Sequence, residues 1–125
     1  MTPSADDLVA RARRRIGRTE PGALDGVVAL GGLVVDIRPA EQRQAEGRLP
    51  GAVVVERNVL EWRLDPSGPH RLSEVTDLER PVVVVCSEGY ASSLAAESLA
   101  DLGYRSVSDL VGGYRAWSAW RGCQR

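Results

Sequence analysis

Four consecutive valines, Val82 to Val85, follow Pro81 and lead into Cys86. An unbroken β-branched run of this length predicts a parallel strand covered on both faces. Leu33 to Ile37 predicts a second buried strand, stopped at Arg38-Pro39 because the residue before a proline is pushed out of the helical region. Ala52 to Val55, after the Leu49-Pro50-Gly51 turn, and Ser106 to Leu110 supply two shorter strands. Elsewhere the apolar positions take a helical period. Leu94, Ala95, Leu99 and Leu102 recur through Ser92 to Leu102, which Gly103 closes. Ala40 to Glu46, ended by Gly47, and Tyr114 to Trp120, entered through Gly112-Gly113, complete two more helices.

At the N-terminus, residues 4–16 form a helix: Ser4 is placed to cap it, Asp6 and Asp7 lie in its first turn, and its arginines lie toward its end, as the helix dipole favours. Arg18 to Gly26, with Pro21, Gly22 and Gly26, reads as a connector. Asn58 is placed to cap a short helix carrying Val59, Leu60 and Trp62, Asp65 to Pro69 is a loop, and Leu72 to Leu78 reads as a short helical turn. Strands alternating with helices give an α/β fold with a mostly parallel central sheet flanked by helices. One domain spans residues 1–125, with an N-terminal helix and connector over 1–28 and a core over 30–121.

A chain of 125 residues, 43% hydrophobic and 26% charged, can bury one core. Sixteen Lys and Arg against seventeen Asp and Glu give a net charge of -1, which argues against bulk attraction to nucleic acid or an anionic membrane. The cluster Arg11, Arg13, Arg14 and Arg15 is flanked by Asp6, Asp7 and Glu20 and reads as a solvated face. The apolar stretches fall far short of the roughly 20 residues that span a bilayer. The opening residues mix acids and bases and resemble no secretion signal, so the expected location is the cytoplasm. There Cys86 and Cys123 are expected to be free thiols. One His and two Cys make no zinc site, and no metal or organic cofactor is expected.

Chemistry concentrates on the unit of strand, Cys86, the loop Ser87-Glu88-Gly89-Tyr90-Ala91, and the helix that Ser92 enters. Ligands of open parallel sheets bind beyond the carboxyl ends of the strands, where this loop lies. Unpaired N–H groups at the helix start favour a thiolate on Cys86 over a thiol. Gly89 gives the loop the backbone freedom to turn several N–H groups toward the sulfur as an anion nest. The plainer alternative is a small hydrophobe at a strand end.

These residues resemble the single-domain rhodanese-like sulfurtransferases over about residues 30–121. Val34-Val35-Asp36-Ile37-Arg38 is similar to the family's aspartate, apolar, arginine strand end, and Gly47-Arg48-Leu49-Pro50-Gly51-Ala52 to its Gly-His-Ile-Pro-Gly-Ala turn. Val82 to Val85 and Cys86-Ser87-Glu88-Gly89-Tyr90-Ala91-Ser92 resemble its catalytic strand and loop. Leu102-Gly103-Tyr104 and Val111-Gly112-Gly113-Tyr114-Arg115-Ala116-Trp117 resemble its closing segments. The resemblance implies a three-layer fold and sulfur transfer through a persulfide on Cys86. The donor is thiosulfate or the persulfide of a thiol or protein, and the acceptor is cyanide or a thiol. Ser87, Glu88, Gly89, Tyr90, Ala91 and Ser92 would bind substrate, with Asp36 and Arg48 in support.

Two departures change the expectation. Family loops often carry a basic residue after the cysteine and an arginine at the sixth position, where this chain has Ser87 and Ala91, and Glu88 adds a negative charge. Thiosulfate, a dianion, is therefore expected to be a weak donor and a low-charge persulfide a better one. Arg48 stands where the family has histidine and reads more simply as a turn residue, while Asp36 reads as a carboxylate fixing a loop by hydrogen bonds. Arg57 and Arg63 are candidates to replace the missing loop charge, and Trp62, Trp117 and Trp120 to pack. A non-catalytic binding module is the alternative function. A cysteine phosphatase is disfavoured because Ser92 occupies the position where that chemistry needs arginine.

Overall fold

A computed structural model describes residues 2–124. Its elements are α1 (Ala5–Arg13), β1 (Gly17–Thr19), a 3-10 turn (Pro21–Ala23), α2 (Leu24–Ala29), β2 (Leu33–Asp36), α3 (Ala40–Glu46) and β3 (Val53–Val54). A second 3-10 turn (Arg57–Val59), α4 (Leu60–Arg63), β4 (Val82–Val85), α5 (Ala91–Leu102), β5 (Val107–Leu110) and α6 (Gly113–Cys123) follow. The five strands form one sheet in the order β1-β5-β4-β2-β3, and each pair is parallel. The mostly parallel sheet expected from the sequence is thus parallel throughout, with helices on both faces.

The valine run explains the layering. Successive side chains of a strand point to opposite faces. Val82 and Val84 join Leu33, Val35, Val107 and the α5 residues Ala95, Ala96 and Leu99 in one core. Val83 and Val85 face the other way, with Val34, Leu110, Leu24 of α2 and Tyr114 and Trp117 of α6. Tyr104 closes the first core and donates its hydroxyl to the Leu64 carbonyl at 2.6 Å, and burial pushes that hydroxyl up to about 12.

Ser4 caps α1 as expected, in a reciprocal capping box with Asp7. Val9 and Ala12 are the buried residues of that helix, which packs along α5. Four expectations are corrected. The segment read as a connector holds an edge strand, a 3-10 turn and α2. Arg18 and Thr19 of that strand anchor it to β5, through Asp109 and Ser108 respectively. Asn58 lies within the second 3-10 turn and caps nothing. Leu72 to Leu78 contains a single turn closed by Val75 N–H to the Leu72 carbonyl (3.0 Å), after which the chain is irregular. Trp62 is 59% exposed rather than packed, whereas Trp117 is buried and Trp120 packs against the core.

Because all strands run the same way, the turns after β2, β3, β4 and β5 gather at one end of the sheet. Ile37 N–H donates to the Val85 carbonyl at 2.9 Å, which sets the end of β2 beside Cys86.

Candidate active site

Cys86 follows the last residue of β4 and is 8% exposed. Its Sγ accepts the Gly89 N–H at 3.1 Å and the Ser92 N–H at 3.3 Å, and lies 3.2 Å from Ser92 Oγ. The first N–H comes from the loop and the second from the first turn of α5, so two backbone N–H groups converge on the sulfur. Gly89 has a φ of +89°. A Cβ there would lie 2.8 Å from the Gly112 nitrogen, so glycine is required for both conformation and space.

The loop is held from below and from the side. Arg13 of α1 donates Nη2 to the Gly89 carbonyl at 2.8 Å and Nε to Ser93 Oγ at 3.0 Å, and its guanidinium lies 5.5 Å from the centre of the Tyr90 ring. This corrects the reading of the N-terminal arginines as a solvated face at Arg13 alone, which is half-buried and buttresses the loop; Arg11, Arg14 and Arg15 are exposed as expected, with Arg15 pairing with Glu97 and Asp101. At the start of α6, Tyr114 N–H donates to the Cys86 carbonyl at 2.8 Å and Arg115 N–H to the Ser87 carbonyl at 3.1 Å. Ser87 Oγ lies 2.6 Å from Gln42 Oε1 and 2.9 Å from Glu46 Oε1 of α3.

Asp36 and Arg38 form a buried pair at the end of β2. Arg38 donates Nε to Asp36 Oδ1 at 3.0 Å and Nη2 to Oδ2 at 2.8 Å. Nη1 reaches Glu46 at 3.2 Å, and the guanidinium stacks 4.0 Å from the Tyr114 ring centre. Burial works against the charged form of Arg38, but Asp36 and Glu46 outweigh it and hold the guanidinium above its ordinary range. Burial likewise pulls Glu46 up, yet hydrogen bonds from Arg115, Ser87 and Arg38 hold its carboxyl below the usual range. The sequence placed Asp36 in support. It did not show that Arg38, Glu46 and Gln42 complete the frame.

The remaining residues divide clearly. Tyr90 is 57% exposed on the loop, and Glu88 is exposed with its carboxylate 3.5 Å from Arg115. Ala91 is the exposed first residue of α5, and Ser92 is fully buried beneath the sulfur. Arg48 is exposed on the turn before β3, and among the described residues no hydrogen bond or ion pair joins its side chain to the loop. A cavity of about 380 Å³ opens beside the ends of β2 and β3, lined by Ile37 to Ala40 and Glu56 to Asn58. Arg57 borders it but pairs with Glu61 at 3.0 Å, while Arg63 donates to the His70 carbonyl at 2.7 Å, so neither supplies a free loop charge. Another cavity, of about 410 Å³, sits by Pro81, Val82 and Ser106 at the amino ends of β4 and β5, away from the sulfur.

The sequence profile of the rhodanese-like domain matches residues 21–119. The chain is 34% identical over 86 residues to the adenylyltransferase and sulfurtransferase UBA4 of Candida albicans, an alignment covering 69% of the chain and 19% of that protein. The chain thus spans about a fifth of that relative's length. Human single-domain sulfurtransferase TSTD1 superposes with a TM-score of 0.68 at 26% identity, covering 82% of this chain and 95% of that one. A Rhodopseudomonas palustris protein of unknown function, described as a possible tyrosine phosphatase, superposes with a TM-score of 0.86 at 27% identity over 97% of this chain and 93% of that one.

Proposed function

The chain belongs to the rhodanese-like domain family, and we propose that it is a sulfurtransferase with Cys86 as its nucleophile. The observation that carries the proposal is the backbone cradle around Sγ: two N–H groups directed at a sulfur favour the thiolate needed for attack. The Cys86 thiolate attacks the outer sulfur of a donor persulfide. A Cys86–sulfur bond forms, the donor's sulfur–sulfur bond breaks, and the donor leaves as a thiolate. An acceptor thiolate or cyanide then attacks the outer sulfur and expels the Cys86 thiolate, restoring the enzyme. Two simple displacements replace one difficult transfer. Both cysteines are free thiols, a state suited to a reducing cytoplasm.

The guanidiniums around the loop favour a low-charge donor, a small-thiol persulfide or one on a partner protein. Arg13 is spent on the Gly89 carbonyl, Arg38 on Asp36 and Glu46, Arg115 on Glu46 and Glu88, and Arg57 on Glu61. A thiosulfate dianion would meet the exposed Glu88 with no guanidinium reserved for it. Exposed Tyr90 at the loop rim suits contact with a persulfide-bearing protein. A phosphate dianion fits less well still, because the side chain six positions after the cysteine is Ser92, hydrogen-bonded to a buried carboxylate.

Turnover with cyanide as acceptor tests the donor preference. The wild type is expected to use a low-molecular-weight persulfide efficiently and thiosulfate poorly. Ala91→Arg, at an exposed position on the loop, is expected to raise thiosulfate efficiency about tenfold, since a charge-assisted hydrogen bond is worth about 1.5 to 3 kcal/mol. Equal use of both donors by the wild type, with no response to Ala91→Arg, would contradict the charge argument.

A further inference from the structure

One buried charge beside the nucleophile has no part in the mechanism above. Asp109 of β5 is fully buried. Its Oδ2 accepts hydrogen bonds from Ser92 Oγ at 2.9 Å and Ser93 Oγ at 2.7 Å, and its Oδ1 accepts one from Arg18 Nε at 2.7 Å. A serine hydroxyl has a single proton to give. With that proton directed at Asp109, Ser92 Oγ presents a lone pair to Cys86 Sγ, 3.2 Å away. In this orientation Ser92 accepts the S–H of a thiol and cannot donate to a thiolate. The neighbouring carboxylate also repels a second negative charge through a low-dielectric interior.

We propose that Asp109, acting through the Ser92 hydroxyl, is a positioning residue that keeps the proton on Cys86 and so opposes the two backbone N–H donors. The charged and titratable groups facing this couple come from each element packed on it. Arg18 approaches from β1, Arg13 from α1 through Ser93, and Cys86 from β4; the Thr19–Ser108 hydroxyl pair lies alongside in β1 and β5. The balance has a use in sulfur transfer, on which its functional meaning rests. Opposed by this couple, the Cys86 sulfur is a slower leaving group than the two N–H donors alone would make it, so a persulfide on it is better retained until an acceptor arrives.

The test is the pH dependence of iodoacetamide alkylation of the intact protein, followed on the Cys86-bearing peptide so that exposed Cys123 is not counted. Asp109→Asn removes the charge and lets Ser92 turn its proton to the sulfur. The half-rise of the alkylation rate is expected to fall by about one pH unit. Arg18→Gln removes the cation that offsets Asp109 while keeping an N–H donor, and its half-rise is expected to move up. A purely structural role would loosen the site without moving the half-rise in opposite directions. An unchanged or raised half-rise in folded Asp109→Asn, or an unchanged or lowered one in Arg18→Gln, overturns the proposal; should Asp109→Asn not fold, Arg18→Gln alone decides it. Alkylation needs no sulfur donor. If the wild type also forms no persulfide in a parallel incubation, the sulfurtransferase reading fails while the proton balance is still measured.

Discussion

Gly113→Ala is expected to dislodge the candidate active loop and to lower stability by about 2 to 5 kcal/mol. Gly113 starts α6 with a φ of +67°, where an L side chain is strained. A Cβ there would lie 2.5 Å from both the Cys86 carbonyl oxygen and the Ser87 carbonyl carbon. These are backbone atoms of the loop itself, and the carbonyls of the two residues are held by Tyr114 and Arg115 N–H. No rotamer change can relieve the contact, so either the loop or the start of α6 must move. Gly122, in the same helix, is the control: a Cβ there meets nothing within 4 Å, and alanine is expected to be neutral or stabilising by about 0.5 to 1 kcal/mol. Urea midpoints of the two variants, read beside persulfide formation on Cys86, check this. Wild-type stability in Gly113→Ala would show that the loop does not rest on α6 as described.

Asp36→Asn is expected to cost about 3 to 5 kcal/mol, because it leaves the Arg38 guanidinium buried without its principal counter-charge. Glu46 and the Tyr114 ring remain near it, which places the expected loss toward the lower end of that range. The double variant Asp36→Leu with Arg38→Met is expected to be more stable than Asp36→Asn alone, since removing both charges leaves no buried ion uncompensated. Chemical denaturation of the variants checks both statements. If the single substitution costs as little as an exposed ion pair, the pair does not frame the site.

Features coded by local pattern were legible in the chain. The valine run places Cys86 at a strand end, Gly89 permits the sharp loop, and Gly112-Gly113 marks the entry to α6. Features that depend on partners distant in sequence were hidden. Gly17-Arg18-Thr19 has no apolar alternation, and becomes a strand because Arg18 and Thr19 find Asp109 and Ser108 about ninety residues away. The glycines and proline of residues 18–26 signal a connector, yet Gly22 lies under the Trp120 ring and Gly26 is accommodated within α2. Arg13 sits among three other arginines, and only the packing of α1 on α5 distinguishes it. Asp109 offered a signal that was available: an acid inside a strand between the apolar Val107 and Leu110 must be paired when buried. Arg38 offered another, since it belongs to the same motif as Asp36. Trp62 ran the other way: its size suggested packing, but its helix, α4, buries Leu60 instead.

The most direct test of the central claim is intact mass spectrometry of the wild type and Cys86→Ser. Each is exposed separately to thiosulfate and to a low-molecular-weight persulfide, washed, and then treated with cyanide. The account predicts that the wild type alone gains one sulfur atom, more completely from the persulfide, and that cyanide removes it. A folded wild type that gains no sulfur from either donor, or a Cys86→Ser variant that gains as much, would contradict Cys86 as the carrier and leave the loop as a recognition surface.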